Sequence, residues 1–125
     1  MAFKYSFAKQ YNRSRLFDVD VEGLEYRNLS DIFDNEDTIW VCEAIYISDK
    51  GKHGNHPCVV THNLNGDFRT YLNLPQHMTD MCNNILSDDN AVEAINAGLV
   101  GFTIYTYETD KCTDTCYSIR WVDLG

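Results

Sequence analysis

The 125-residue chain predicts an α+β fold, and three observations carry that prediction. Several stretches are either period-two alternations or unbroken β-branched and aromatic runs, the marks of strands. One apolar stripe at helical spacing sits between the third and fourth of them. Clusters of Gly, Asn, Asp and Pro separate the pieces. The length suits one domain with its own core. With 44% hydrophobic and 23% charged residues, the composition is that of a folded globule and excludes a disordered chain.

The first strand is expected in LFDVDVEGLEY (16–26), where Leu16, Asp18 and Asp20 alternate with Phe17, Val19 and Val21, and Glu22-Gly23 permits a bend. NLSDIFDNED is acidic, and either Ser30 or Asp31 caps one helical turn or the stretch is a loop. TIWVCEAIYIS is the most strand-like segment; nearly every residue from Ile39 to Ile47 is β-branched, aromatic or small, as in a central strand covered on both faces. DKGKHGNHP reads as a turn and PCVVTH as the returning strand of a hairpin. After the NLNGD turn, FRTYLNL alternates again, so residues 57–74 form one bent strand or two short ones. Pro75 suits the first turn of a helix. Met78, Met81, Cys82, Ile85 and Leu86 then make one stripe, and Ser87 or Asp88 can cap a restart of the signal that Gly98 ends, giving either two helical pieces with a kink near Ser87 or one broken helix. LVGFTIYTYE places Val100, Phe102 and Ile104 opposite Thr103, Tyr105 and Tyr107. TDKCTDT reads as a hairpin loop. TCYSIRWVDL closes the chain with Tyr117, Ile119 and Trp121 inward and Ser118 and Arg120 outward.

Five mostly antiparallel strands with a helical segment between the third and fourth follow the order of an OB-like barrel, a small barrel that binds single strands and other ligands. The same order also suits an open sheet with a helix on one face.

Nineteen acidic and ten basic residues give a net charge of −9, and the charge is polarised. Residues 1–17 hold Lys4, Lys9, Arg13 and Arg15 and no acid, whereas residues 18–125 hold six bases against nineteen acids, a net −13. The division expected is a basic aromatic N-terminal arm (1–15) before a single acidic domain (16–125). The start of the chain has no apolar segment of the secretory type, no run is long enough for a membrane span, and the five cysteines are odd in number. These features point to a cytoplasmic protein with free thiols.

Catalytic and metal motifs fail on spacing. Cys112-x-x-x-Cys116 brackets the expected loop, and Cys58 and His62 on a regular strand would stand roughly 13 Å apart, so neither pair resembles the tight pairs of structural zinc sites. His53, His56, His62 and His77 fall in no local nucleophile signature. Asp18/Asp20 and Asp88/Asp89 fit a strand edge and a helix start, and GKHGN lacks phosphate-loop spacing. A non-enzymatic protein without cofactor or metal is expected.

Binding of single-stranded nucleic acid combines stacking aromatics with a cationic groove. Tyr105 and Tyr107 share a strand face, Arg120 projects from the neighbouring strand, and Lys50 and Lys52 lie in the first hairpin turn. These five residues are the expected nucleic-acid-binding set. The acidic body opposes it, because it repels phosphates at long range. The alternative takes the acidity as the function: an acidic module that occupies the basic groove of a nucleic-acid-handling enzyme and inhibits or modulates it.

YLNLPQHMTDMCNNIL, GLVGFTIYTYE and CYSIRWVDL together resemble a group of small uncharacterised proteins of phages and mobile elements of Firmicutes, over about Phe17 to Leu124. Asn73, Leu74, Pro75 and His77, the Val100-Gly101-Phe102 strand and Trp121-Val122-Asp123 carry the likeness. The resemblance implies a phage or mobile-element setting, in which single-strand binders and small host-directed inhibitors both occur, and it implies no mechanism.

Overall fold

The computed structural model describes residues 17, 19–51, 54–109 and 112–125, with the side chains of 49–51, 54, 55, 109 and 112–114 outside that description. The expected basic arm, residues 1–15, also lies outside it. Among the described residues the chain forms β1 (Tyr26–Asn28), α1 (Leu29–Ile32), β2 (Ile39–Gly51), β3 (Gly54–Asn63) and β4 (Arg69–Asn73). A 3-10 turn (Gln76–Met78), α2 (Thr79–Leu86), α3 (Asp89–Asn96), β5 (Val100–Thr109) and β6 (Cys112–Asp123) follow. The six strands make one open mixed sheet in the order β1-β4-β3-β2-β5-β6. All neighbours are antiparallel except β1 and β4.

The core is built on β2 and β3. Consecutive residues Cys58, Val59, Val60 and Thr61 are all essentially without solvent contact, and so are Cys42, Ala44 and Ile45 opposite them. Successive strand residues point to opposite faces, so this pattern requires both faces to be covered. Helices α2 and α3 pack against β2 and bring Met78, Cys82, Val92 and Ile95 into the cluster. The segment before β1 adds Phe17, whose ring meets Tyr46 edge-on at 6.2 Å between centroids, with Val19, Val21 and Leu24 beside it. Thr61, buried in the core, donates its hydroxyl to the Val41 carbonyl at 2.6 Å, so its polar atom is satisfied.

The helical region divides where the sequence divides it. Asp88 caps α3, its carboxylate accepting from the backbone N–H groups of Asn90 and Ala91. Gly98 ends α3 with φ +75°, a conformation that suits glycine. The stripe of α2 is only partly buried: Met78 and Cys82 are covered, whereas Met81 is 48% exposed.

The sheet is not a closed barrel. β1 and β6 stand at opposite ends of the order and do not pair. Three residues are too few to seal a barrel, and the chain turns directly from Asn28 into α1, where the Asp31 carboxylate accepts from the Asn28 backbone N–H at 2.8 Å. The expected first strand over 16–26 is also corrected. Its alternation belongs to an extended segment whose apolar residues pack on the core, followed by a turn at Gly23 (φ +81°) closed by Leu24 N–H to the Val21 carbonyl. Only Tyr26–Asn28 joins the sheet, parallel to Tyr71–Asn73. Residues 57–74 resolve into two strands, β3 and β4, giving six strands where five were expected. Both hairpins run longer than expected: β2 continues to Gly51, which pairs with Gly54, and Thr109 pairs with Cys112.

One polar clasp ties three strands and the preceding segment together. A bulge between Cys42 and Ala44 leaves Glu43 as the extra residue of β2. Its carboxylate accepts from Arg69 Nε (3.0 Å) and Nη2 (2.9 Å), and lies 2.9 Å from His62 Nδ1. Arg69 Nη2 also donates to the Asp20 carbonyl at 2.8 Å. Burial raises the Glu43 pKa, but the hydrogen bonds from Arg69 and His62 and the Arg69 charge outweigh it, so the net shift is downward.

Two outcomes follow for stability. A carboxylate with a depressed folded pKa stabilises above its unfolded value, near 4.5, and that contribution is lost as pH falls through the folded pKa. Glu43→Gln is expected to cost about 1–3 kcal/mol at pH 7 and to flatten the acid limb of a stability-versus-pH curve measured by urea titration. At Gly101, a Cβ would stand 2.8 Å from the Trp40 carbonyl oxygen and 3.2 Å from a Leu124 methyl. Gly101→Ala is expected to cost about 1–3 kcal/mol, read as a lowered urea midpoint with unchanged m.

Candidate functional site

The β5–β6 hairpin positions the residues of interest by register. Tyr105 pairs with Ser118, Tyr107 with Cys116 and Thr103 with Arg120, so all six share one face of the hairpin. The Tyr105 and Tyr107 rings are 6.1 Å apart. The Arg120 guanidinium lies over the Tyr105 ring, 5.2 Å from its centroid, a cation–π contact. Ser118 between them is buried, and Arg120 itself is exposed.

This end of the hairpin meets the start of the helical region in a groove of about 340 Å³. His77, Met78 and Met81 line one side and Tyr105, Arg120 and Trp121 the other, with Ser118 and Ile119 completing it. The Trp121 indole N–H donates to the Met81 sulfur at 3.3 Å, bridging the two sides. The groove therefore presents a phenol, an indole, two thioethers, an imidazole and one guanidinium. Thioethers and aromatic faces accept flat apolar surfaces, and a volume of this size suits a ligand at the small end of the usual range.

Arg120 differs electrostatically from the other described arginines. Arg69 is held by Glu43, and Arg27 pairs with Glu25 at 3.1 Å while its other nitrogen donates to Thr70. Among the described residues Arg120 has no carboxylate partner within ion-pair distance.

Of the five expected site residues, the structure brings Tyr105 and Arg120 into the groove. Tyr107 lies one step further along the strand, its ring tilted 43° to that of Tyr105, and does not line the groove. Lys50 is a β2 residue whose side chain lies outside the described set, and Lys52 lies outside the described residues altogether. Three groove residues were not singled out from sequence. Trp121 was read as inward, Met81 as part of one apolar stripe, and His77 as a histidine outside any nucleophile signature and as part of the step into the helix. The pattern itself gave no signal, because Met78, Met81, Cys82, Ile85 and Leu86 sit at the spacing of a single face and only the packing shows that Met81 stands at its exposed margin.

Other constellations explain themselves structurally. Asn73 Oδ1 receives Cys58 Sγ–H at 3.3 Å and lies 3.2 Å from His56 Nε2, while Asn73 Nδ2 donates to Asn28 Oδ1. This Cys, His and Asn set ties β1, β3 and β4 together. Burial pushes the Cys58 thiol up to about 11, which removes the thiolate a nucleophile needs. Burial likewise raises Cys82 to about 11, helped by Cys58, and raises Cys42 further. The Cys112/Cys116 pair does not bracket a loop, since both lie along β6. No grouping of three or more His, Cys, Asp or Glu residues suited to a metal occurs among the described residues. Among them, too, no helix is long and apolar enough to cross a membrane. A second aromatic cluster stands at the β1–β4 edge. Tyr26, 62% exposed, stacks on Tyr71 at 4.5 Å, and Arg27 lies over Phe68, which meets Trp40 edge-on.

The thiol environment has a measurable consequence. A pKa of about 11 leaves Cys58 and Cys82 roughly 0.1% ionised at pH 8, against about a tenth for a thiol at its ordinary value of 9.0. Mass-spectrometric mapping after iodoacetamide at pH 8 is expected to show Cys42, Cys58 and Cys82 unmodified in the native protein and modified in urea.

No protein-family model, curated protein or solved structure matches the chain.

Proposed function

We propose that the domain is a non-catalytic binder of single-stranded nucleic acid from a phage or mobile element, and that it seats one nucleotide in the groove between α2 and the β5–β6 hairpin. One observation carries this reading: Arg120, without a carboxylate partner among the described residues, lies on Tyr105 at the margin of an aromatic and thioether-lined groove. A base would lie against the Trp121, Tyr105 and Met81 surfaces, and Arg120 would meet the adjoining phosphate. His77 supplies a further hydrogen-bonding group at the rim.

Charge arithmetic shapes the expected behaviour. One guanidinium in the groove releases about one counterion, so log affinity should fall with log salt at a slope of about −0.7. The net charge of −9 opposes encounter and keeps binding weak and selective for short exposed strands.

A second reading is favoured by the exposed acids Asp31, Asp34, Glu36 and Asp37 around the end of α1. There the domain is an acidic module that enters the basic groove of a nucleic-acid-handling protein.

Fluorescence anisotropy with a labelled oligothymidine at low and moderate salt tests the first reading. Binding that weakens with salt is expected, and Tyr105→Ala with Arg120→Ala should weaken it by about ten- to a hundred-fold. No binding even at low salt sinks this reading and leaves the acidic-module reading, for which recovery of no basic nucleic-acid protein from host extract is the contrary result.

A further inference from the structure

Charge is not spread evenly along the acidic body. From Leu16 to Ser48 the chain carries nine acids and one base, Arg27, whereas residues 49–125 carry ten acids and five bases. Tyr26 stands within the acid-rich stretch, on the short edge strand β1. At 62% it is the most exposed large apolar or aromatic side chain among the described residues. One face of its ring lies on Tyr71, 4.5 Å between centroids and 10° from parallel. That stack holds the ring in place and leaves its other face to solvent.

The neighbours set the charge around that open face. Arg69, two residues before Tyr71 and on the same face of β4, donates to the Asp20 carbonyl, which brings Asp20 and the turn at Glu22 to one side of the stack. On the other side Asn28, two residues after Tyr26, donates its backbone N–H to the Asp31 carboxylate. Asp20, Glu22 and Asp31 are all exposed. Neither nearby arginine offsets them. Arg69 is held by Glu43, and Arg27 alternates to the opposite face of the sheet, where it lies over Phe68 and bonds Glu25 and Thr70.

We propose that the open face of Tyr26, flanked by Asp20, Glu22 and Asp31, is a docking site for an arginine side chain on an extended segment of a partner protein. A guanidinium is planar and weakly hydrated, so it stacks flat on an aromatic ring while its N–H edge reaches carboxylates beside it. The same carboxylates repel a phosphate backbone, which sets this surface apart from a nucleotide platform. They also oppose a purely apolar partner, which would strip them of water and return no hydrogen bond. The site shares no residue with the groove between α2 and the hairpin, and it does not depend on what the groove takes.

Titration of the full chain with a short peptide alternating arginine and glycine, followed by NMR chemical shifts, tests the site. Saturable shifts centred on Tyr26 and its flanks are expected, and they should weaken with salt. Tyr26→Leu keeps apolar bulk but removes the ring, and should weaken binding by about three- to ten-fold, whereas Tyr26→Phe should hold it within about two-fold. Glu22→Gln should weaken it, and Glu93→Gln, the loss of one exposed charge on α3, should not. A peptide with lysine in place of arginine should bind several-fold more weakly, because an ammonium cannot stack flat. Equal affinity for the lysine peptide, full binding by Tyr26→Leu, equal effects of the two glutamate changes, or shifts centred on Trp121 or on residues 34–37 would overturn the proposal. Tyr26→Leu is expected to leave the oligothymidine titration unchanged, so failure of either reading leaves the other standing.

Discussion

The strands β1, β4, β3 and β2 meet β5 and β6 along a seam only three residue pairs long, Ile39–Thr103, Trp40–Phe102 and Val41–Gly101. β2 begins at Ile39, so β5 beyond Thr103 has no β2 residue beside it. Close approach at Gly101, where any side chain would strike the Trp40 carbonyl, lets the seam form at all. Trp40 and Phe102 sit opposite each other across it, and Phe102 meets Trp121 edge-on at 6.0 Å. Trp40 and Phe102 are both buried in the core, so apolar burial supports the join that backbone pairing leaves short. The groove is a product of this geometry, since the free half of the hairpin bounds a space that α2 lines from the other side.

Electrostatic order within the domain is separate from its excess of acid. The carboxylates that do structural work are few and local: Glu43 clasps β2, β3 and β4, Asp88 starts α3, and Asp31 closes the turn after β1. The remaining described acids are exposed. Consequently the negative charge shapes what approaches the protein more than how it folds. Arg120 gains importance from this background, as a positive group held against a ring and not consumed by an acid.

Much of the architecture was legible in local chemistry. The nearly continuous apolar composition from Ile39 to Ile47, interrupted at Glu43, signalled a strand covered on both faces, and Asp88 and Gly98 marked the limits of α3. The alternation over 16–26 misled because a segment lying across a core and a strand pairing at an edge select the same period of apolar residues. Whether the sheet closes was not legible, since closure depends on strand length and long-range pairing. At the site, the Tyr105 and Arg120 neighbours were readable from strand parity alone. Trp121 and Met81 were not, because their meeting depends on how α2 returns across the sheet, which no local pattern encodes.

The short seam also bears on the order of folding. β2–β3 and β5–β6 are local hairpins, each able to form before distant parts of the chain meet. The seam instead joins residues 39–41 to 101–103, and its loop-closure entropy must be met before three residue pairs repay it. On these grounds the seam is expected to form late on the pathway, with low φ-values. Weakening it should then act on the unfolding rate more than on the folding rate, so that the lifetime of the native state depends on the place where Gly101 passes Trp40.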